Sequence, residues 1–222
     1  MTKKLLTIIL LTTLILSCDK FKKDNPKNAQ DPKVSSIPAD SLRIVLEEMH
    51  DRDQGIRKEL MESRNKPDEM YSVIQRMNTT DSLNQEQVEI ILEKYGWLGI
   101  SSVGEKASGA IFYVVQHAPV EFMEEYYPQL EELVSRGDAS KRHAAMMQDR
   151  ILMYNNQKQI YGTQASNLVR EDETMVMWPV KNPENVNTRR EEVGIHGTIE
   201  EAAASMNAEY DPNEKLPEVN PW

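Results

Sequence analysis

His117 is the side chain best suited to moving a proton near neutral pH, because its ring titrates there. It follows Gln116 at the end of an apolar run, GAIFYVV, so a titratable ring stands beside an amide that can donate and accept. Asp149 could orient that ring, and its neighbour Arg150 could hold an anion. Asp53 and Arg57 stand four apart, with Gln54 between them, and bring a second carboxylate and a second guanidinium. The stretch QIYGTQ adds Gln159, Tyr161, Thr163 and Gln164 around Gly162, a residue that lets backbone approach closely. Each group also has a plainer reading. His117 could be a core histidine satisfied by a carbonyl, Asp149-Arg150 could lock a junction, and Asp53-Arg57 could be an ion pair worth about 0.3–0.5 kcal/mol.

Other chemistries fit less well. The histidines at 50, 117, 143 and 196 are scattered and form no H-x-x-x-H or HExxH pair, so no metal is expected. GISSVGEK departs from the phosphate-binding loop: Glu105 precedes the lysine, and Ala107 stands where a hydroxyl is needed. No cofactor is expected. A net charge of -10 argues against a nucleic-acid partner. The single cysteine, Cys18, removes disulfides and leaves no thiol nucleophile within the folded part.

The elements that position these residues read as an α+β fold, predominantly α-helical, with a small antiparallel β-hairpin or three-stranded sheet near residues 151–180. Leu42, Leu46, Met49, Ile56 and Leu60 mark a helix over 41–63, with Asp53 and Arg57 on or beside its apolar stripe. A break at NKPDEM, a short turn over 71–77, and a helix capped by Asp81-Ser82 and ending at Gly96 follow. WLGISSVG reads as a loop, 104–118 as a helix, and the segment after Pro119 as another, ending at Gly137. Asp138 would open the helix DASKRHAAMMQDR. ILMY, the turn NNQ and KQIYGTQ then read as a hairpin, with ETMVMWPV as a third strand. Asn182-Pro183 would start a helix ending at Gly194, and Thr198 with Glu201 a last one through a capping box.

The N-terminus predicts the location. MTKK is a short basic segment, and Leu5 to Leu16 is an apolar run of twelve, shorter than the ~20 residues of a membrane span. The run Ile15-Leu16-Ser17-Cys18 resembles a bacterial lipobox, in which the cysteine becomes the diacylated N-terminus after cleavage. The expected organisation is a signal peptide over 1–17 and a polar, disordered tether over 18–38. A single globular domain over 39–208 and a loose tail over 209–222 complete it. The protein would face the periplasm or the cell surface of the bacterial envelope, held on a membrane by lipid on Cys18.

Taken in order, Asp53-Gln54-x-x-Arg57, Gln116-His117-Ala118, Asp149-Arg150 and Tyr161-Gly162-Thr163-Gln164 resemble the motifs of an uncharacterised bacterial family, a domain of unknown function. Pro179, NPENV and the Arg189-Arg190 pair before Val193-Gly194 resemble its C-terminal portion, so the likeness runs over roughly 42–196. Asn182 departs from it, standing where the family is expected to carry an acid. The resemblance implies a shared polar constellation and no established activity.

Three functions are compatible with that constellation. It could bind a small polar or anionic ligand between the helices and the hairpin, with Arg57 and Arg150 on the anion and Gln116, Tyr161 and Gln164 reading its shape. It could be a metal-independent hydrolase with His117 as general base and Asp149 orienting it. Or it could be an internal network that fixes one packing.

Overall fold

The computed structural model describes residues 39–222, so the signal segment, Cys18 and the tether lie outside the described residues. Six helices come first: α1 (Ala39–Glu62), α2 (Pro67–Tyr95), α3 (Ile100–Val103), α4 (Glu105–Gln116), α5 (Val120–Ser135) and α6 (Lys141–Tyr154). α4 is their centre. Nine of its twelve residues are buried, and it packs on α1, α2, α3, α5 and α6. A helix without a polar face has to be surrounded in this way. Leu46, Met49, Val88, Met123 and Met147 fill the space around it, in one core with its own Ile111. Each such side chain contributes about 1.5–3 kcal/mol when fully buried.

The second part of the domain is smaller. Strands β1 (Ala165–Ser166) and β2 (Val176–Met177) pair antiparallel, Ala165 opposite Met177 and Ser166 opposite Val176. A 3-10 turn, Pro183–Asn185, leads into α7 (Val186–Glu192), and α8 (Ile199–Ser205) follows. Met177, Val180, Val186, Ile199 and Ala203 form a separate apolar cluster beneath them. The fold is predominantly helical α+β, as the sequence implies. The Thr198 capping box is formed, with the Thr198 hydroxyl accepting from the Glu201 amide and the Glu201 carboxylate accepting from the Thr198 amide.

The expected hairpin is displaced. ILMY is the last turn of α6, not a strand, because a four-residue apolar run has no period of its own and a helix already begun extends cheaply. Met147 and Met153 sit on its buried face. The Asn155-Asn156 signal is real but marks a helix end: Asn155 is the cap, and Asn156 takes a left-handed φ of 51°. QIYGTQ is irregular chain, joined to Pro179–Lys181 by Gln159 N donating to Pro179 O at 3.0 Å and Lys181 N to Gln159 O at 2.9 Å. The segment read as a third strand supplies β2.

Three helix boundaries also differ. α2 runs unbroken for 29 residues from Pro67, so Asp81 is mid-helix and its carboxylate is free to face α1. The N-cap of α6 is Ser140, while Asp138 accepts hydrogen bonds from the amide and hydroxyl of Ser101. Asn182 caps nothing with its side chain and instead adopts a left-handed φ of 47°. Residues 211–222 form no regular element, yet Asn220 Nδ2 donates to Tyr154 O at 3.0 Å and Trp222 meets the Tyr154 ring edge-on. Among the described residues no helix is long and apolar enough to cross a membrane, and no three His, Cys, Asp or Glu could share a metal ion.

Candidate functional site

The polar residues picked out by type and spacing fall into two groups, one on each side of the C-terminal end of α4. The first is a clasp around Asp149, a fully buried residue on α6. Asp149 Oδ1 accepts from the amides of Ile160 at 2.6 Å and Tyr161 at 3.1 Å. Its Oδ2 accepts from the Thr163 amide at 3.0 Å and the Thr163 hydroxyl at 2.9 Å. The carbonyls of the same loop point the other way: Tyr161 O and Gly162 O each accept from Arg190 Nη1 at 2.9 Å. A carboxylate and a guanidinium thus hold one loop between them, through its N–H groups and its C=O groups respectively. Burial pushes the Asp149 carboxyl above its usual range, and the amide and hydroxyl donors pull against that shift.

Gln159 completes the clasp and explains the unusual composition of QIYGTQ. Its side chain is wholly buried. Nε2 donates to Gln164 O at 2.9 Å and Trp178 O at 2.6 Å, and Oε1 accepts from Thr163 N at 2.8 Å and Gln164 N at 2.9 Å. The amide does what a neighbouring strand would do, pairing two donors and two acceptors of backbone that has no ladder. Gly162 closes the turn at φ 66°, and a Cβ there would overlap the Ile199 side chain. The Gln159 amide therefore has no free hydrogen-bonding position to offer a ligand, and the Thr163 hydroxyl is engaged by Asp149 and Gln164. The phenol of Tyr161 is partly buried, and its pKa is raised by burial and by the nearby Asp149 charge.

The second group surrounds His117, which caps α4, with a quarter of its side chain exposed. Arg57 of α1 lies between two carboxylates: its Nη2 is 3.1 Å from Asp81 and 3.4 Å from Asp53. Arg57 Nε is 3.2 Å from Nδ1 and 3.4 Å from Nε2 of His117. It can donate only to a ring nitrogen without a proton, so the contact requires neutral imidazole. Burial pushes the His117 pKa down, and Arg57 and Arg150 add to this against the opposing pull of Asp53. Burial works to raise the Asp53 carboxyl, but the His117 ring 3.8 Å away and the Arg57 charge outweigh that and hold it low. Gln54 Nε2 donates to Asp53 Oδ2 at 2.7 Å.

Arg150 joins the two groups. Its Nη1 donates to Gln116 O at 2.8 Å and its Nε to Gln164 Oε1 at 2.9 Å. Gln164 Nε2 in turn donates to the Thr163 hydroxyl at 3.0 Å, which donates to Asp149. Arg150 forms no ion pair among the described residues. Its compensation is the C-terminus of α4, equivalent to roughly half a negative charge. Two atoms of residues that flank His117 are enclosed with no hydrogen-bond partner among the described residues: Arg57 Nη1, a donor, and Gln116 Oε1, an acceptor. Gln116 Nε2 reaches Met146 O at 3.4 Å, which fixes the amide with its oxygen turned away from that carbonyl.

The expectation that Asp149 orients His117 is thus replaced. The carboxylate beside the ring is Asp53, 3.8 Å from Nδ1, and the oxygens of Asp149 are occupied by the loop. Asp81, which pairs with Arg57 across two helices, was missed because its sequence context reads as a helix cap. Nor do the residues line one common cavity: Thr163 lines a cavity between α6, α7 and α8 that His117, Arg57 and Arg150 do not reach. A protein-family model described as a family of unknown function (DUF6624) matches residues 40–212. Comparison with curated proteins and with solved structures finds no match.

Proposed function

The chain belongs to that DUF6624 family, whose function is unknown, and from the chemistry of its own residues we propose that it binds a small polar ligand at the Arg57–Gln116–His117–Arg150 cluster. The observation that carries this reading is the unfilled hydrogen-bonding capacity around His117. An enclosed donor or acceptor left unpaired costs about 1–3 kcal/mol, and Arg57 Nη1 and Gln116 Oε1 are two such atoms. A ligand with one accepting, anionic group and one donor, such as a hydroxy acid, an amino acid or an amide, answers both. A polyanion would be repelled by Asp53 and Asp81. Arg150 supplies the charge not answered by any carboxylate, and the partly exposed ring of His117 is the way in.

A second reading is favoured by Asp53 lying 3.8 Å from Nδ1 of His117. In it, His117, kept neutral by burial, takes a proton from a water as that water adds to an ester or amide carbonyl, and the two arginines stabilise the oxyanion formed on the carbonyl oxygen; the proton then passes from His117 to the leaving group. Both readings set Arg150 against the ligand, and both are tested by following thermal unfolding across small hydroxy acids, amino acids, amides and phosphates. A ligand at a hundredfold its Kd stabilises by about 2.7 kcal/mol. The binding reading expects such a shift in the wild type and none in Arg150→Gln. No shift with any compound, or an equal shift in both proteins, contradicts it. Turnover of an ester or amide that disappears in His117→Gln would favour the hydrolase.

We also infer that the domain is a lipoprotein of the bacterial cell envelope, anchored through Cys18, on the strength of MTKK, the apolar run Leu5–Leu16 and Ser17-Cys18. Cys18→Ser should leave the membrane fraction and abolish sensitivity of processing to globomycin. Retention of the variant on membranes would refute the anchor.

A further inference from the structure

The cavity on the other side of the Gly162–Thr163 loop has its own charge pattern. It measures about 340 Å³, within the range of small-molecule sites. Arg190 lines it, although only 3% of the residue is exposed. Arg190 Nε donates to Gly197 O, and Nη1 to Tyr161 O and Gly162 O, which leaves Nη2 without an acceptor among the described residues. No carboxylate forms an ion pair with it among the described residues, since Asp149 acts only through the intervening loop. Arg142 of α6 stands at the rim of the same cavity and is likewise unpaired among the described residues. Two guanidinium groups facing one cavity repel each other unless an anion lies between them. Burial pulls the Arg190 pKa down, and the nearby Arg142 charge adds to that while Asp149 and Glu200 oppose it.

The remaining walls limit what the anion can be. Glu201 brings one negative charge against the two guanidinium groups, its carboxylate fixed by the Thr198 amide, and His196 also lines the wall. Met146, Ile195 and Met206 supply an apolar side. We propose that this cavity is a second binding site, for a small monocarboxylate with an apolar body, whose carboxylate lies between Arg142 and Arg190 and whose body rests on Met146, Ile195 and Met206. A phosphate dianion fits worse on both counts: it meets Glu201 and has nothing to offer the apolar side. This site is independent of the cluster at His117, from which Gln164 and Met146 separate it.

Ligand-detected NMR on the full chain in detergent tests this, with benzoate and butyrate as probes and acetate and inorganic phosphate as controls. Benzoate should bind more tightly than acetate, and phosphate should not compete. Arg142→Gln, at the exposed rim, should weaken benzoate by about tenfold, the loss of one charge-assisted contact. Ala202→Trp, which fills the cavity while leaving every hydrogen bond of Arg190 in place, should abolish the signal. Arg150→Gln should leave it unchanged, so failure here is separate from failure at the His117 cluster. The proposal is overturned if no probe binds the folded wild type at millimolar concentration, if phosphate displaces benzoate, or if Ala202→Trp binds as wild type. Loss of benzoate binding in Arg150→Gln would also overturn it, by assigning the carboxylate to the other cluster.

Discussion

The two polar groups in this domain are built from the same kinds of residue and differ in how completely they are paired. In the clasp, Asp149 accepts from three amides and a hydroxyl, and Gln159 fills all four positions of its amide. In the His117 cluster, Arg57 Nη1 and Gln116 Oε1 are enclosed without partners, and Arg150 has no carboxylate. A complete network holds one conformation and stabilises it; an incomplete one has capacity left for another molecule. On the proposed reading, the difference separates the motif residues into those that shape the site and those left available to a ligand.

The largest effect is expected at the clasp. Asp149→Ala removes the acceptor of the Ile160 and Tyr161 amides and one of the two acceptors of the Thr163 amide, and should lower unfolding free energy by about 3–5 kcal/mol, read from urea denaturation. A loss under about 1 kcal/mol would mean that the loop finds other partners and that the clasp is not its anchor. Next is Gly162→Ala, which adds a Cβ at a left-handed position and against Ile199. It should cost about 2–3 kcal/mol. An unchanged melting temperature would show that the turn opens freely.

Smaller still is the pH dependence. His143 stacks on Phe112 and is pushed down to about 4, by burial first and then by Arg142 and His50; His117 is lowered as well. Both are uncharged in the fold and bind protons more readily when unfolded, with an ordinary value of 6.5. Their stabilisation is complete above pH 6.5 and is lost as the pH falls through the folded values. Asp149, raised by burial, has the opposite sign: its contribution is present at low pH and lost as pH rises through its folded value. Unfolding free energy should fall between pH 6.5 and about 4 in wild type, and fall less in His143→Phe. Equal slopes in the two proteins would remove His143 from this account.

The parts of this fold that were legible in the sequence are those governed by local rules. The apolar stripe of α1, the apolar circumference of α4 and the Thr198 capping box depend on spacings of three, four or a whole helix face. The parts that were not legible depend on distant partners. ILMY could be helix or strand until α6 was seen to begin at Lys141. Asp81 looks like a helix cap until α1 brings Arg57 opposite it. QIYGTQ raised the right question, because so many polar groups in one apolar setting demand partners. Its answer, a glutamine amide standing in for a strand, required Trp178 and Asp149 to be placed around it. The order of the motifs along the chain gave no sign that Asp149 and His117 serve different groups.

Urea unfolding of Gln159→Met beside Gln116→Met tests that division most directly. Both substitutions replace a buried glutamine with an apolar side chain of similar volume. Gln159→Met should lower stability by about 3 kcal/mol, since it leaves the Gln164 amide and the Trp178 carbonyl without a partner. Gln116→Met should stay within about 1 kcal/mol of wild type, because the acceptor it deletes has no partner to lose and the one bond its Nε2 donates, to Met146 O, is long at 3.4 Å. Equal losses in the two variants, or a larger one in Gln116→Met, would make the His117 cluster part of the same structural network and contradict its assignment as a ligand site.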